Sequence, residues 1–236
     1  ESETQVDVCL TSQMASQIEL WTRMYENRSP WVNNEEVLSA NLAPAIASEL
    51  ARLVTLEMKS EITGGAAADY LNTAYKSKVL KDIRRYVEYG CAKGGLVMKP
   101  YITRQGIEVR FVQADCFFPL SFDSSGRITQ CVFTEQFRKG QKIYTRLEVH
   151  TLHEAAVHIV NRAFVATNDY SLGSEVPVNS IDRGSELAPG IILEGTDRLL
   201  LGYFKIPMAN AYDSDSPLGV SIYSRAVDLI KEADRR

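Results

Sequence analysis

The stretch GGLVMKPYITRQGIEVRFVQADCFFPLSFDSSGRITQCVFTEQFRKGQKIYTRLEVHTLHEAAVHIVNRAFV, residues Gly94–Val165, reads as an uninterrupted series of short strands and tight turns. Its turn signals are Arg104-Gln105-Gly106, Asp123-Ser124-Ser125-Gly126, Arg138-Lys139-Gly140 and His153-Glu154-Ala155-Ala156. They recur at the short spacing of antiparallel hairpins. Val109, Phe111, Val112, Phe117, Phe118, Leu120 and Phe122 supply branched and aromatic side chains for a core. This meander is expected to be the scaffold on which the rest of the chain is arranged.

Upstream the pattern is helical. Leu10, Met14, Ile18, Trp21 and Tyr25 fall at spacings of four, four, three and four, one stripe of an amphipathic helix. Ser29-Pro30 predicts its stop near Asn27, and Trp31 is an anchor candidate in the connection that follows. A second helix is expected over Leu42–Leu53, with Asn41 as N-cap and Pro44 in the tolerant first turn. Val54, Leu56 and Met58 then alternate with polar residues, which predicts a short strand ended by Gly64-Gly65. A third helix carries Leu71, Tyr75, Val79, Ile83, Val87 and Gly90 at steps of about four, with Lys76, Lys78, Lys81, Arg84 and Arg85 on its other face. Such a charge run reads first as a solvated face and second as a contact for an acidic partner.

Downstream, residues 166–198 are polar and rich in Gly and Pro. A connection of that length predicts an interaction surface or a mobile excursion. The apolar run at 199–206 predicts a strand closed by Pro207. A last helix is expected from Pro217, with Asp215 and Ser216 as caps and Ile222, Ala226, Leu229 and Ala233 as its stripe. It reaches Arg236 without a stop signal, as though cut, and the missing initial Met likewise predicts a trimmed start. The class expected is therefore α+β: an antiparallel β-meander (94–165) packed with N-terminal helices (5–92), then a long loop and a truncated C-terminal helix.

Composition narrows the function classes. The chain has 236 residues, 45% hydrophobic and 24% charged, ordinary for a folded globular protein. It holds no apolar run long enough for a membrane span, and its acidic first residues do not read as a signal peptide. A net charge of -4 argues against a nonspecific polyanion binder. Cys9, Cys91, Cys116 and Cys131 form no C-x-x-C pair and read as free, mostly buried thiols of a reducing compartment. No phosphate-binding loop, dinucleotide fingerprint, H-E-x-x-H or G-x-S-x-G occurs. Neither Ser221 nor Ser224 has a base that the sequence identifies, and no cofactor is implied.

The carboxylates to weigh for acid/base work are Asp115, Asp123 and Glu135. Asp123 reads more simply as the cap of its own turn. His150, His153 and His158 are the only histidines, and their clustering invites a metal. An odd separation along a strand puts His150 and His153 on opposite faces, which disfavours a metal shared by those two. A hydrolase or metal-dependent nuclease using Asp115, Asp123 and His150 is the alternative from the enzyme class.

Four runs in series resemble the portal proteins of tailed bacteriophages, of the siphophage type often labelled minor capsid protein. They are LAPAIASELARLVTLEMKSEITG (Leu42–Gly64), EYGCAKGGLVMKPY (Glu88–Tyr101), QADCFFPLSFDSSGRI (Gln113–Ile128), and GYFKIPMAN with DSPLGVSIYSRAVDLIKEAD (Gly202–Asp234). The resemblance covers nearly the whole chain in order. It implies a virion protein, assembled in the host cytoplasm into a homo-oligomeric ring, dodecameric in assembled members, at one capsid vertex. DNA passes through that ring non-specifically during packaging and ejection. Terminase, head completion proteins and scaffold or capsid proteins dock on it, and no turnover is implied. Residues 1–216 would be the wing and 217–236 the first turns of the stem helix, with clip and crown beyond. A cyclic head-to-tail contact needs two different complementary faces. The candidates are the basic helix at Lys76, Lys81, Arg84 and Arg85, the excursion at Tyr170 and Glu186, and Tyr223, Arg225 and Asp228 on the stem.

Overall fold

A computed structural model describes residues 10–33, 35–168, 171–181 and 188–236. The class is α+β, with helices leading, antiparallel sheets following and a short helix at the C-terminal side. The chain divides into two compact units. A helical unit comprises Thr11–Asp115 and Leu201–Arg236, and a sheet unit comprises Cys116–Leu200 together with Leu10. No helix among the described residues is long and apolar enough to cross a membrane.

In the helical unit, α1 spans Ser12–Tyr25 and starts where the Thr11 hydroxyl accepts the Met14 amide at 3.2 Å. It buries Met14, Ile18, Trp21 and Met24, close to the stripe expected, and ends before Asn27, whose φ is 55°. Helix α2 spans Leu42–Thr55. Asn41 precedes it but makes no capping bond: it sits at φ 59°, and its carboxamide oxygen accepts from Asn27 Nδ2 at 2.8 Å. The strand expected at 54–59 is absent. The helix absorbs Val54 and Thr55, and with no neighbouring strand to pair, Leu56 and Met58 stay exposed.

The single long helix expected after Gly65 is three pieces: α3 (Ala68–Lys78), a 3-10 turn (Leu80–Asp82) and α4 (Ile83–Lys93). The reason is angular. A step of four residues turns about 400°, so each repeat drifts about 40° off one side of a straight helix. The break at Val79 (φ -111°, ψ -62°) resets the phase, and Val79 and Val87 are both buried. Gly94 closes α4 at φ 92°, its amide bonded to the Gly90 carbonyl at 3.0 Å.

Strands β1 (Gly95–Thr103) and β2 (Gly106–Gln113) form a hairpin that belongs to this unit and not to the sheet that follows it in sequence. Far down the chain, the strand Gly202–Lys205, β9, pairs with the other edge of β1, Leu96 opposite Phe204. The uninterrupted meander is thus two sheets. The C-terminal helix is shorter than expected. Residues 217–223 are not helical, the Ile222 amide bonds the Cys91 carbonyl at 2.9 Å, and α5 runs from Val227 to Asp234. Caps at Asp215 and Ser216 therefore start no helix. Leu218 and Val220 are buried two apart, as in extended chain, and Gly219 lies so close to Gly94 that a Cβ there would stand 2.2 Å from the Gly94 oxygen.

The sheet unit contains β3 (Phe117–Phe122), β4 (Ile128–Lys139), β5 (Lys142–His153), β6 (Ala156–Ala166), β7 (Ser174–Val176) and β8 (Gly190–Glu194). They run in the order β3-β4-β5-β6-β7, with β8 pairing further along β6. The turns stand where the sequence signals them. Asp123 Oδ1 accepts the amides of Ser125 and Arg127, and Gly140 and Glu154 take φ 61° and 53° in two-residue loops. Within the stretch 166–198, the described segments β7 and β8 both return to β6. One sheet face gathers Leu120, Val132, Leu147 and Phe164 into an apolar cluster.

Candidate interaction surface

The six-stranded sheet holds a charged row on the face opposite that cluster. Arg146, Glu148 and His150 alternate along β5 and so point the same way. The Arg146 guanidinium donates to Glu135 Oε2 at 3.1 Å and Glu148 Oε2 at 3.2 Å, and His150 Nε2 lies 2.6 Å from Glu148 Oε1. Arg146, Glu148 and His150 are buried, with His150 standing edge-on to the Phe133 ring. Sequence reading named Glu135 and His150 but missed Arg146 and Glu148. The signal was available as three polar residues at period two in an otherwise β-rich run.

The three residues of the enzyme alternative have separate local partners. Asp115, in the helical unit, pairs with the buried Lys93 at 2.7 Å. Asp123 caps its turn, and the bonds from the Ser125 side chain and the Arg127 amide hold its carboxyl below the usual carboxylate range. His150 is engaged by Glu148. Among the described residues no three His, Cys, Asp or Glu side chains stand together as a metal site. Cys91 and Cys131 are buried and Cys116 half-buried, each a thiol and not a disulfide; Cys9 lies outside the described residues.

Three weak acids of the helical unit, one thiol and two phenols, are held neutral by burial. Burial pushes the Cys91 thiol up to about 11 and the Tyr203 phenol up to about 12. Tyr223 is likewise raised by burial, and its hydroxyl donates to the Trp21 carbonyl at 2.8 Å. Tyr223 is 1% exposed, so it is a core residue and not the surface contact expected from its position. Ser221 and Ser224 are buried beside it.

Of the other expected contacts, Arg225 and Asp228 are exposed near α5. Tyr170 and Glu186 lie outside the described residues. Lys76, Lys81, Arg84 and Arg85 are all exposed, but the break in the helix spreads them over α3, the 3-10 turn and α4. Arg85 is held over the Tyr86 ring, 4.8 Å from its centroid, and pairs weakly with Asp82 at 3.7 Å.

The feature that sequence reading missed is the orientation of α2. Its buried stripe is Ala43, Ala47 and Ala51, small residues that allow close helix contact. Its large aliphatics face outward: Ile46 is 37% exposed, Leu53 55% and Val54 52%, and Leu56 follows at 64%. Leu42, Ile46 and Leu53 recur at helical spacing, interrupted by the exposed Glu49–Arg52 pair. An amphipathic helix with alanines inside and branched aliphatics outside presents a surface suited to burial by a partner. Compared with protein-family models and with curated proteins, the chain matches none.

Proposed function

We propose that this chain is the wing region, with the beginning of the stem, of a tailed-phage portal subunit, and that it works by assembly and not by turnover. The reading joins the four sequence runs that resemble portal proteins to one observation, the outward aliphatic face of α2. A ring built head to tail requires two unlike faces on each subunit. The aliphatic stripe of α2 supplies an apolar face for one contact, and the cationic side chains of α3 and α4 supply a separate face for an acidic partner surface. In this reading the ring stands at a capsid vertex, passes DNA non-specifically, and receives terminase, head completion proteins and scaffold or capsid proteins.

The test is electron microscopy with light scattering on the full-length protein. Rings with an axial hole are expected. The double variant Ile46→Asp/Leu53→Asp is expected to leave monomers with an unchanged circular dichroism spectrum. A full-length protein that stays monomeric at every concentration overturns the reading, and rings unaffected by the double variant remove the role given to α2.

A further inference from the structure

We infer that the β5–β6 hairpin carries a surface chelate of two imidazoles, His153 and His158, that takes a borderline divalent cation of the zinc, nickel or copper class. The register of the hairpin carries this assignment. His153 is opposite Ala156 and Thr151 is opposite His158, so the two histidines are diagonal neighbours on one face of adjacent strands. His150 sits on the other face, buried and bound to Glu148. Only the pair at 153 and 158 is therefore open to solvent.

The geometry is close to what a metal demands. The two ring centroids are 5.9 Å apart, with the planes at 62°. A metal about 2.0–2.1 Å from one nitrogen of each ring, at a tetrahedral angle, sets the centroids about 5 Å apart. Side-chain rotation of less than about 1 Å at each ring closes that difference within ordinary rotamer wells. Among the described residues neither ring nitrogen pair is engaged by a hydrogen bond or an ion pair.

The hairpin is also fixed in advance. The Ala155 carbonyl at its tip accepts both the Gly195 amide at 2.9 Å and the Thr196 amide at 3.1 Å, which ties the turn to the end of β8. Glu194 is opposite Ala156 on β8, so its carboxylate belongs to the same face, with the small Ala156 side chain between it and His153. No third protein ligand stands within the group as it is, so water completes the coordination. Two imidazoles with a nearby carboxylate select nitrogen-seeking ions over magnesium or calcium, which need several oxygen ligands.

The experiment is titration of the protein with nickel, zinc and copper(II) chlorides by calorimetry, with electron paramagnetic resonance of the copper form. Saturable one-to-one binding is expected, in the affinity order copper above nickel and zinc. Both His153→Ala and His158→Ala should weaken it by roughly tenfold or more, with the circular dichroism spectrum unchanged because His153 is exposed and His158 only half-buried. The copper spectrum should show coupling to two nitrogens. Binding that survives in the His153→Ala/His158→Ala double variant, or a copper spectrum with one nitrogen or none, overturns the assignment.

Discussion

The two units differ in what surrounds their buried ionisable groups: the helical unit holds a thiol and two phenols neutral beside separate charged pairs such as Lys93–Asp115, whereas the sheet unit clusters its charges. The helical unit keeps Cys91, Tyr203 and Tyr223 neutral, with the Tyr223 hydroxyl donating to a carbonyl and the Tyr203 oxygen accepting the Gly219 amide at 3.0 Å. The sheet unit sets the Arg146 guanidinium between the Glu135 and Glu148 carboxylates, with His150 hydrogen-bonded to Glu148. A neutral group needs one partner to be satisfied. A buried charge depends on every neighbour, because removal of one leaves the others uncompensated in a medium that solvates them poorly. The sheet is thus more brittle toward single substitutions, and the helical unit more sensitive to alkali. Both tryptophans, Trp21 and Trp31, lie in the helical unit. Their emission reports that unit alone.

The largest effect should come from Arg146→Ala, which strands Glu135 and Glu148 without their shared guanidinium. A loss of about 3–5 kcal/mol is expected, read as a lower urea midpoint in far-ultraviolet circular dichroism. A variant that unfolds at the parent midpoint would break the comparison at its strongest point.

Alkaline titration should act on the other unit. The neutral Cys91 and Tyr203 contribute stability that is fully present below their ordinary values of 9.0 and 10.0, and it is lost as pH rises through about 11 and about 12. The urea midpoint reported by tryptophan emission should therefore fall progressively above pH 9. A flat tryptophan midpoint from pH 9 to 12 contradicts the neutral-burial account.

The smallest change is Tyr223→Phe, which removes one donor from the Trp21 carbonyl and keeps the ring. About 1 kcal/mol is expected from urea unfolding followed by tryptophan emission. A cost several times larger would mean that the hydroxyl organises more of the interior than its single bond accounts for.

Much of the local structure was legible in the sequence. The stripe from Met14 to Trp21, the stop near Asn27 and the hairpin turns at 104–106, 123–126 and 153–156 follow from periodicity and turn chemistry, which act within a few residues. Trp31 is an anchor as read, its Nε1 donating to Asp234 at 2.7 Å. What the sequence hid depends on partners far along the chain. Residues 217–223 begin with a strong helix-start pattern, yet they stay non-helical because the Cys91 carbonyl and the close approach to Gly94 hold them there. The hairpin at 95–113 looks continuous with the later strands, and only its pairing with β9 assigns it elsewhere. Helix α2 was legible as a helix but not as one turned inside out, since its pattern fits either facing. At the candidate surface the exposed cations were legible, whereas burial of Tyr223 required the Trp21 carbonyl, 202 residues away.

The division of the helical unit around residues 116–200 bears on the order of synthesis. Residues 11–115 leave the ribosome before β9, the Ile222 amide and the Asp234 carboxylate that complete their interior exist. At about 5–20 residues per second, the intervening segment delays closure by roughly 4–17 s. During that interval the unpaired edge of β1 and the surface of α1 around Met14 and Trp21 are open to a nascent-chain chaperone, whereas every strand of the sheet unit finds its partners within its own continuous stretch.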